Sequence, residues 1–188
     1  MTRARGSAGH DTSGQAGALT LLVPIRQGHE SALAADLDAL PGRGGSPLAR
    51  VRGTHFARFV VLDQPVYEGG GQKVRDTWTA SRLLFTSNFD GPADRYLGAL
   101  RTGLAADGDR LFGHCAGYPG SAAAEPWRSW VLAHRIGSSL FFAAYGDQTV
   151  AEVHANLELR ARLIAFALDA QGLAPAELRS RFQETFPR

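Results

Sequence analysis

The chain has 188 residues, 44% of them hydrophobic and 20% charged, with a formal net charge of +2. That length and balance suit one domain with its own core and exclude a disordered chain. The pI near 9.0 comes from 20 basic residues, of which Lys73 alone is a lysine, scattered among 18 acids, so no basic stripe for nucleic acid forms.

Residues 1–17, MTRARGSAGHDTSGQAG, carry an early Arg pair but no apolar h-region, and read as a disordered tail rather than a signal peptide. ALTLLVPIR (18–26) is a short strand. GHESALAADLDALPG is a helix with Leu33, Leu37 and Leu40 on one face, stopped by Pro41-Gly42. RGGSPLARVRG (43–53) is a loop, and THFARFVVLD (54–63) a second strand. QPVYEGGGQKVRDTWTAS (64–81) reads as a long, mobile hairpin excursion. RLLFTSNFDG (82–91) is the third strand.

At Asp90-Gly91-Pro92 a helix begins, with Asp90 as its expected cap and Ala93, Tyr96, Leu97, Leu100 and Leu104 as its stripe. AEPWRSWVLAHRIG (124–137) is a short extra helix and SSLFFAAYGD (138–147) a fourth strand. A closing helix runs from about Thr149 to Ala170, with Val150, Val153, Leu157, Ala161, Ile164 and Leu168 at helical spacing. PAELRSRFQETF, within an amphipathic segment at 173–188, finishes the chain. The predicted architecture over 18–172 is α+β: a ferredoxin-like βαββαβ unit with a four-stranded antiparallel sheet, an extra short helix and C-terminal helices.

A sheet with helices on one face leaves the other bare. Alternation puts His55, Ala57, Phe59 and Val61 on one side of the second strand, and Phe56, Arg58, Val60 and Leu62 on the other. If the second and third strands pair as a hairpin, Arg58 falls near Thr86 and Phe56 near Asn88. An arginine in mid-strand needs water, a carboxylate or a ligand anion, because a buried charge without partners costs several kcal/mol. It fits a solvated face or interface ion pair as well as a pocket.

THFARFVVL, RLLFTSNFDGPADRYL, GHCAGYPG and TVAEVHANLELRARLIAFAL together resemble an uncharacterised bacterial family of the dimeric α+β barrel superfamily, over about residues 18–170. That superfamily includes dye-decolourising peroxidases, chlorite dismutases, aldoxime dehydratases and cofactor-free antibiotic-biosynthesis monooxygenases. The resemblance implies a homodimer whose two sheets close face to face over a small-molecule pocket, often for heme. NFDG is not the distal signature of the peroxidases.

Of the six histidines, His10 lies in the tail, His29 at a helix start, and His154 on a charged helix flank. His55 stands at a strand mouth and His114 beside Cys115. His134 shares a stripe with Trp127, Trp130 and Val131 at i, i+3, i+4 and i+7 spacing, an arrangement suited to an axial heme ligand or a flat substrate. Each histidine taken alone also fits a core imidazole bonded to a backbone carbonyl. Cys115, the single cysteine, excludes an intrachain disulfide and a multi-cysteine zinc site and fits a reducing, cytoplasmic setting. It reads as a buried small hydrophobe. No G-x-S-x-G, Walker or zinc-hydrolase pattern occurs, and no apolar run approaches the ~18 residues of a membrane span.

Three functions follow. The first is a heme-dependent oxidoreductase of peroxidase-like type, with His134 or His114 on the iron and Arg58 near a distal pocket or a propionate. The second is a cofactor-free cyclase or monooxygenase on an aromatic or polyketide-like substrate. There His55 or His114 is general base, and Arg58 and Asn88 hold an oxyanion. The third is a non-catalytic dimerisation or ligand-sensing module.

Overall fold

A computed structural model describes residues 11–42, 45–65 and 77–187. Most of the excursion expected over 64–81, and the first ten residues of the expected tail, lie outside the described residues. The chain divides into two units, one ending at Thr149 and one beginning at Val150.

In the first unit, β1 (Thr12–Ser13), β2 (Ala16–Pro24), β3 (Thr54–Leu62) and β4 (Arg82–Asp90) form an antiparallel sheet in the order β1-β2-β4-β3. Among the described residues, three α-helices accompany it, α1 (Glu30–Asp38), α2 (Ala93–Phe112) and α3 (Ala124–His134), with one 3-10 turn at Pro47–Arg50. From β2 to α2 the order is the expected strand, helix, strand, strand, helix.

The core lies on one sheet face. Leu19, Leu21 and Val23 of β2 and Leu83, Phe85 and Phe89 of β4 are buried against Leu33, Leu97, Leu100, Leu111 and Phe112 of the helices. Trp127, Trp130 and Val131 extend the same cluster from α3. Gly17 has no side chain because the Phe89 ring occupies that space: an added Cβ would stand 2.6 Å from it. α2 is interrupted at Ala105, whose φ of 38° and ψ of −115° are not helical.

The strand expected over 138–147 does not form. The outer edge of β2 is taken instead by β1, through Thr12↔Gly17 and Ser13↔Ala16, and by a lone bridge between Leu21 and Arg135. The segment's backbone is spent elsewhere: Ser138 N–H donates to the Asp11 carboxylate at 2.6 Å, and Ala143 N–H to the Ser13 hydroxyl at 3.3 Å. Gln15 N–H donates to the Gly146 carbonyl at 2.6 Å. Leu140, Phe142 and Tyr145 are left exposed. An alternating apolar pattern specifies a strand only where a ladder partner is free to receive it.

The same contacts show that residues 11–17, expected in the tail, belong to the folded unit. Asp11 is buried and paired with Arg135. Burial raises its carboxyl pKa, but the Ser138 amide and hydroxyl and the Arg135 guanidinium outweigh burial and hold it below the usual carboxylate value.

The second unit is a helical pair, α4 (Val150–Asp169) and α5 (Pro175–Thr185). Phe166, Phe182 and Phe186 form a ring cluster with centroids 5.0–5.7 Å apart. No residue of α4 is buried, and Val153, Leu157, Ile164 and Leu168 of the expected stripe are exposed. Among the described residues, no helix is long and apolar enough to cross a membrane.

Candidate functional site

The sheet face turned away from the core is built by the residues that alternate with those of the core. On β4, Leu83, Phe85 and Phe89 are buried, while Leu84, Thr86, Asn88 and Asp90 between them are half-buried on the other side. The β3–β4 register puts Arg58 opposite Thr86 and Phe56 opposite Asn88, as the alternation predicts. Arg58 Nε donates to Thr86 Oγ1 at 3.1 Å, which holds the guanidinium over the strand while leaving its other N–H groups to solvent. Phe56 is 76% exposed, an apolar plate turned to solvent.

His55 departs from simple alternation. The register shifts between Thr54 and Phe56, so His55 is the extra residue of a bulge, a device that re-aims a side chain. Its Nε2 lies 2.6 Å from Asp90 Oδ1, and both side chains are largely withdrawn from water. Asp90 therefore does not cap α2: the N-cap is Pro92, with no side-chain capping bond. Gly91, at φ 77°, makes the turn, and Asp90 N–H is fixed on the Gly53 carbonyl at 2.9 Å. A carboxylate can only accept, so neutral His55 donates its Nε2–H and keeps Nδ1 as a lone pair, which is how a carboxylate orients a general base.

The structure thus gathers His55, Asn88 and Arg58 on one sheet face, with Asp90 and Phe56 added. At ~3.3 Å per residue, His55 and Arg58 lie roughly 10 Å apart along β3, with Asn88 on the neighbouring strand between them. An imidazole base, an amide donor and a fixed cation across that span can deprotonate a flat substrate and stabilise the resulting anion.

The remaining predicted residues are elsewhere. His114 follows α2, its carbonyl accepting from Arg26 N–H just past the other end of β2. Its Nε2 meets Asp36 Oδ2 at 2.9 Å and its Nδ1 meets His29 Nδ1 at 3.0 Å. His134 donates Nδ1–H to the Trp130 carbonyl at 2.8 Å within its own helix, which leaves Nε2 as a possible ligand atom. The flanking indoles do not form a slot beside it. Trp127 and Trp130 are 3% and 7% exposed, and the Trp130 indole N–H is bonded to the Ala116 carbonyl. Trp130 packs edge-on against Phe112 and Tyr118. A porphyrin does not fit between rings that fill the core, so the donor atom fits heme and its surroundings do not. Among the described residues, no group of three or more His, Cys, Asp or Glu side chains could hold a metal ion.

Sequence reasoning missed Asp90 as a partner of His55 because its place before Gly-Pro mimics a helix cap, and missed His29 and Asp36 altogether. His29 and His114 are 85 residues apart, and no local pattern links them. Compared with known proteins, the chain matches no family, no curated protein and no solved structure.

Proposed function

We propose that the chain is a cofactor-free acid–base enzyme of the cyclase or monooxygenase kind, acting on an enolisable aromatic or polyketide-like substrate at the open sheet face. The observation that carries this reading is the 2.6 Å contact between His55 and Asp90 on the face that also bears Asn88 and Arg58. His55 Nδ1 removes the acidic proton, Asp90 keeps the ring oriented and stabilises the imidazolium, and Arg58 and Asn88 hold the developing oxyanion. Phe56 supplies a stacking surface. A second copy of the chain, laid sheet to sheet, closes the face into a pocket and excludes water from the imidazole–carboxylate pair.

The test is proton–deuterium exchange at the acidic position of a panel of naphthol- and anthrone-like compounds, followed by NMR with chelator-treated protein. His55→Ala is expected to slow exchange by ~10²–10⁴-fold, the range of a positioned general base. Arg58→Ala is expected to weaken binding of the anion. Exchange that is equally fast in both variants overturns the reading. A Soret band after hemin addition, lost in His134→Ala, would favour the heme-dependent oxidoreductase instead.

A further inference from the structure

A second cluster of titratable groups stands at the opposite end of the sheet. His55 and Asp90 lie where β4 ends, whereas Arg26 and His114 lie just past Pro24, whose partner is Arg82 at the start of β4. At ~3.3 Å per residue the two clusters are roughly 25 Å apart along that strand, so they cannot share a small substrate.

Hydrogen-bond accounting fixes the direction of the second cluster. Asp36, as a carboxylate, accepts from His114 Nε2–H at 2.9 Å. Neutral His114 then has a lone pair on Nδ1. The 3.0 Å contact between the two Nδ1 atoms therefore requires His29 to donate, because two lone pairs or two N–H groups would repel. His29, in turn, keeps a lone pair on Nε2. It is partly exposed, whereas the side chain of His114 is only 16% exposed.

We propose that Asp36, His114 and His29 form a second acid–base site, a carboxylate–imidazole–imidazole relay that takes a proton at His29 Nε2 and stores the charge on His114. The proton balance closes without any co-reactant. A weakly acidic O–H or N–H of the ligand breaks and a bond forms to His29 Nε2. The Nδ1–H bond of His29 breaks and the Nδ1–H bond of His114 forms. The positive charge rests on His114 against Asp36, and the ligand is left as its anion.

The helices push the charge the same way. His29 is the N-cap of α1, where the positive end of the helix dipole opposes an imidazolium. His114 directly follows Gly113, the C-cap of the part of α2 that runs on after the break at Ala105, where the negative end favours one. The charged groups around the relay include Asp36 and the first-turn Glu30 from α1, Arg110 from α2 at 3.9 Å from Asp36, and Asp107, which engages Arg110 at 3.7 Å and also pairs with Arg50. On the strand side, the Arg26 guanidinium is anchored on the Gly113 carbonyl and supplies a cation for the ligand's anion. The ligand class is thus a small weak acid whose conjugate base is an oxyanion or a nitrogen anion.

Histidine tautomers of the full chain, read by nitrogen-15 NMR between pH 8 and pH 5, test this, with Asp36→Asn alongside. At pH 8, His29 is expected as the Nδ1–H form and His114 as the Nε2–H form. On acidification His114 should become the imidazolium in the same step that converts His29 to its Nε2–H form. Asp36→Asn should uncouple the two rings and slow acylation of His29 by diethyl pyrocarbonate, because the carboxylate that holds His114 as the acceptor of His29 Nδ1–H is gone. Finding His29 as the Nε2–H form at pH 8, or rings that titrate independently in the wild type, overturns the relay. Stoichiometric uptake of zinc or nickel between the two Nδ1 atoms overturns it as well. The wild-type tautomers decide the case by themselves if the variant does not fold.

Discussion

The two faces of the sheet are made by alternate residues of the same strands, yet they have different fates. Phe59 and Phe56 are three residues apart on β3. The Phe59 ring sits 4.8 Å from Phe85 and 5.8 Å from Phe112, while Phe56 touches solvent over three quarters of its surface. Residue type does not distinguish them. What distinguishes them is that α2 and its neighbours cover one side, and among the described residues of the first unit no helix packs on the other. A phenyl ring packed among rings is a stability element; the same ring exposed beside an arginine and an amide is, on the proposed reading, a recognition element.

The largest effect is expected from truncating Phe85, the fully buried ring on which Phe59 packs. Phe85→Ala should cost ~3–5 kcal/mol, the range for a fully buried phenylalanine, measured by urea or thermal unfolding. A cost below ~1 kcal/mol would mean that the covered face is not the core.

The clip that holds the N-terminal segment ranks next. Asp11→Asn removes a buried charged acceptor of Arg135 and Ser138 and should cost about 2 kcal/mol near pH 7. Because the folded carboxyl titrates below its unfolded value, its contribution is present above about pH 4 and is lost as pH falls through the lower, folded pKa. The variant should therefore flatten the acid limb of the stability curve. An unchanged acid limb would show that Asp11 does not pin residues 135–138.

Alkali probes the core side further. Burial pushes the Cys115 thiol up to about 12, against an opposing effect of Arg26. The unfolded thiol ionises near ~8.5, so stability is fully present below that value and falls as pH rises toward 12, by up to ~1.4 kcal/mol per unit. Burial shifts Tyr96 upward in the same sense. Cys115→Ala should remove part of the slope, and the native thiol should resist alkylation at pH 8. Rapid alkylation there would place Cys115 outside the core.

Periodicity made most of the architecture legible. Arg58 met Thr86 and Phe56 met Asn88 because alternation is rigid along an uninterrupted strand. It misled where the physics is not periodic. The bulge at His55 needs a register, not a spacing, and turned that imidazole toward Asp90. The segment 138–147 has the composition of a strand, but its backbone amides were claimed by Asp11 and Ser13. The stripe on α4 is as regular as the one on α2, yet only α2 is buried, since a stripe states that a partner is needed and not which one. The His29–His114 contact depends on where two helix ends meet, which no local pattern encodes.

The smallest expected stability effect carries the most information about function. Phe56→Ala should change unfolding stability by less than ~0.5 kcal/mol, because an exposed ring contributes little to the fold. If a second copy covers the open face, Phe56 is instead near the centre of that contact, and its truncation should weaken self-association while leaving the fold intact. Size-exclusion chromatography with light scattering over a range of concentrations separates the two effects. A wild-type dimer that falls to monomer in Phe56→Asp, at unchanged thermal stability, assigns the bare face to assembly and places His55, Asn88 and Arg58 inside a closed chamber. A wild-type monomer at every concentration leaves Arg58 and Phe56 facing water, with no closed chamber to hold a substrate beside His55, and the proposed enzyme fails with it.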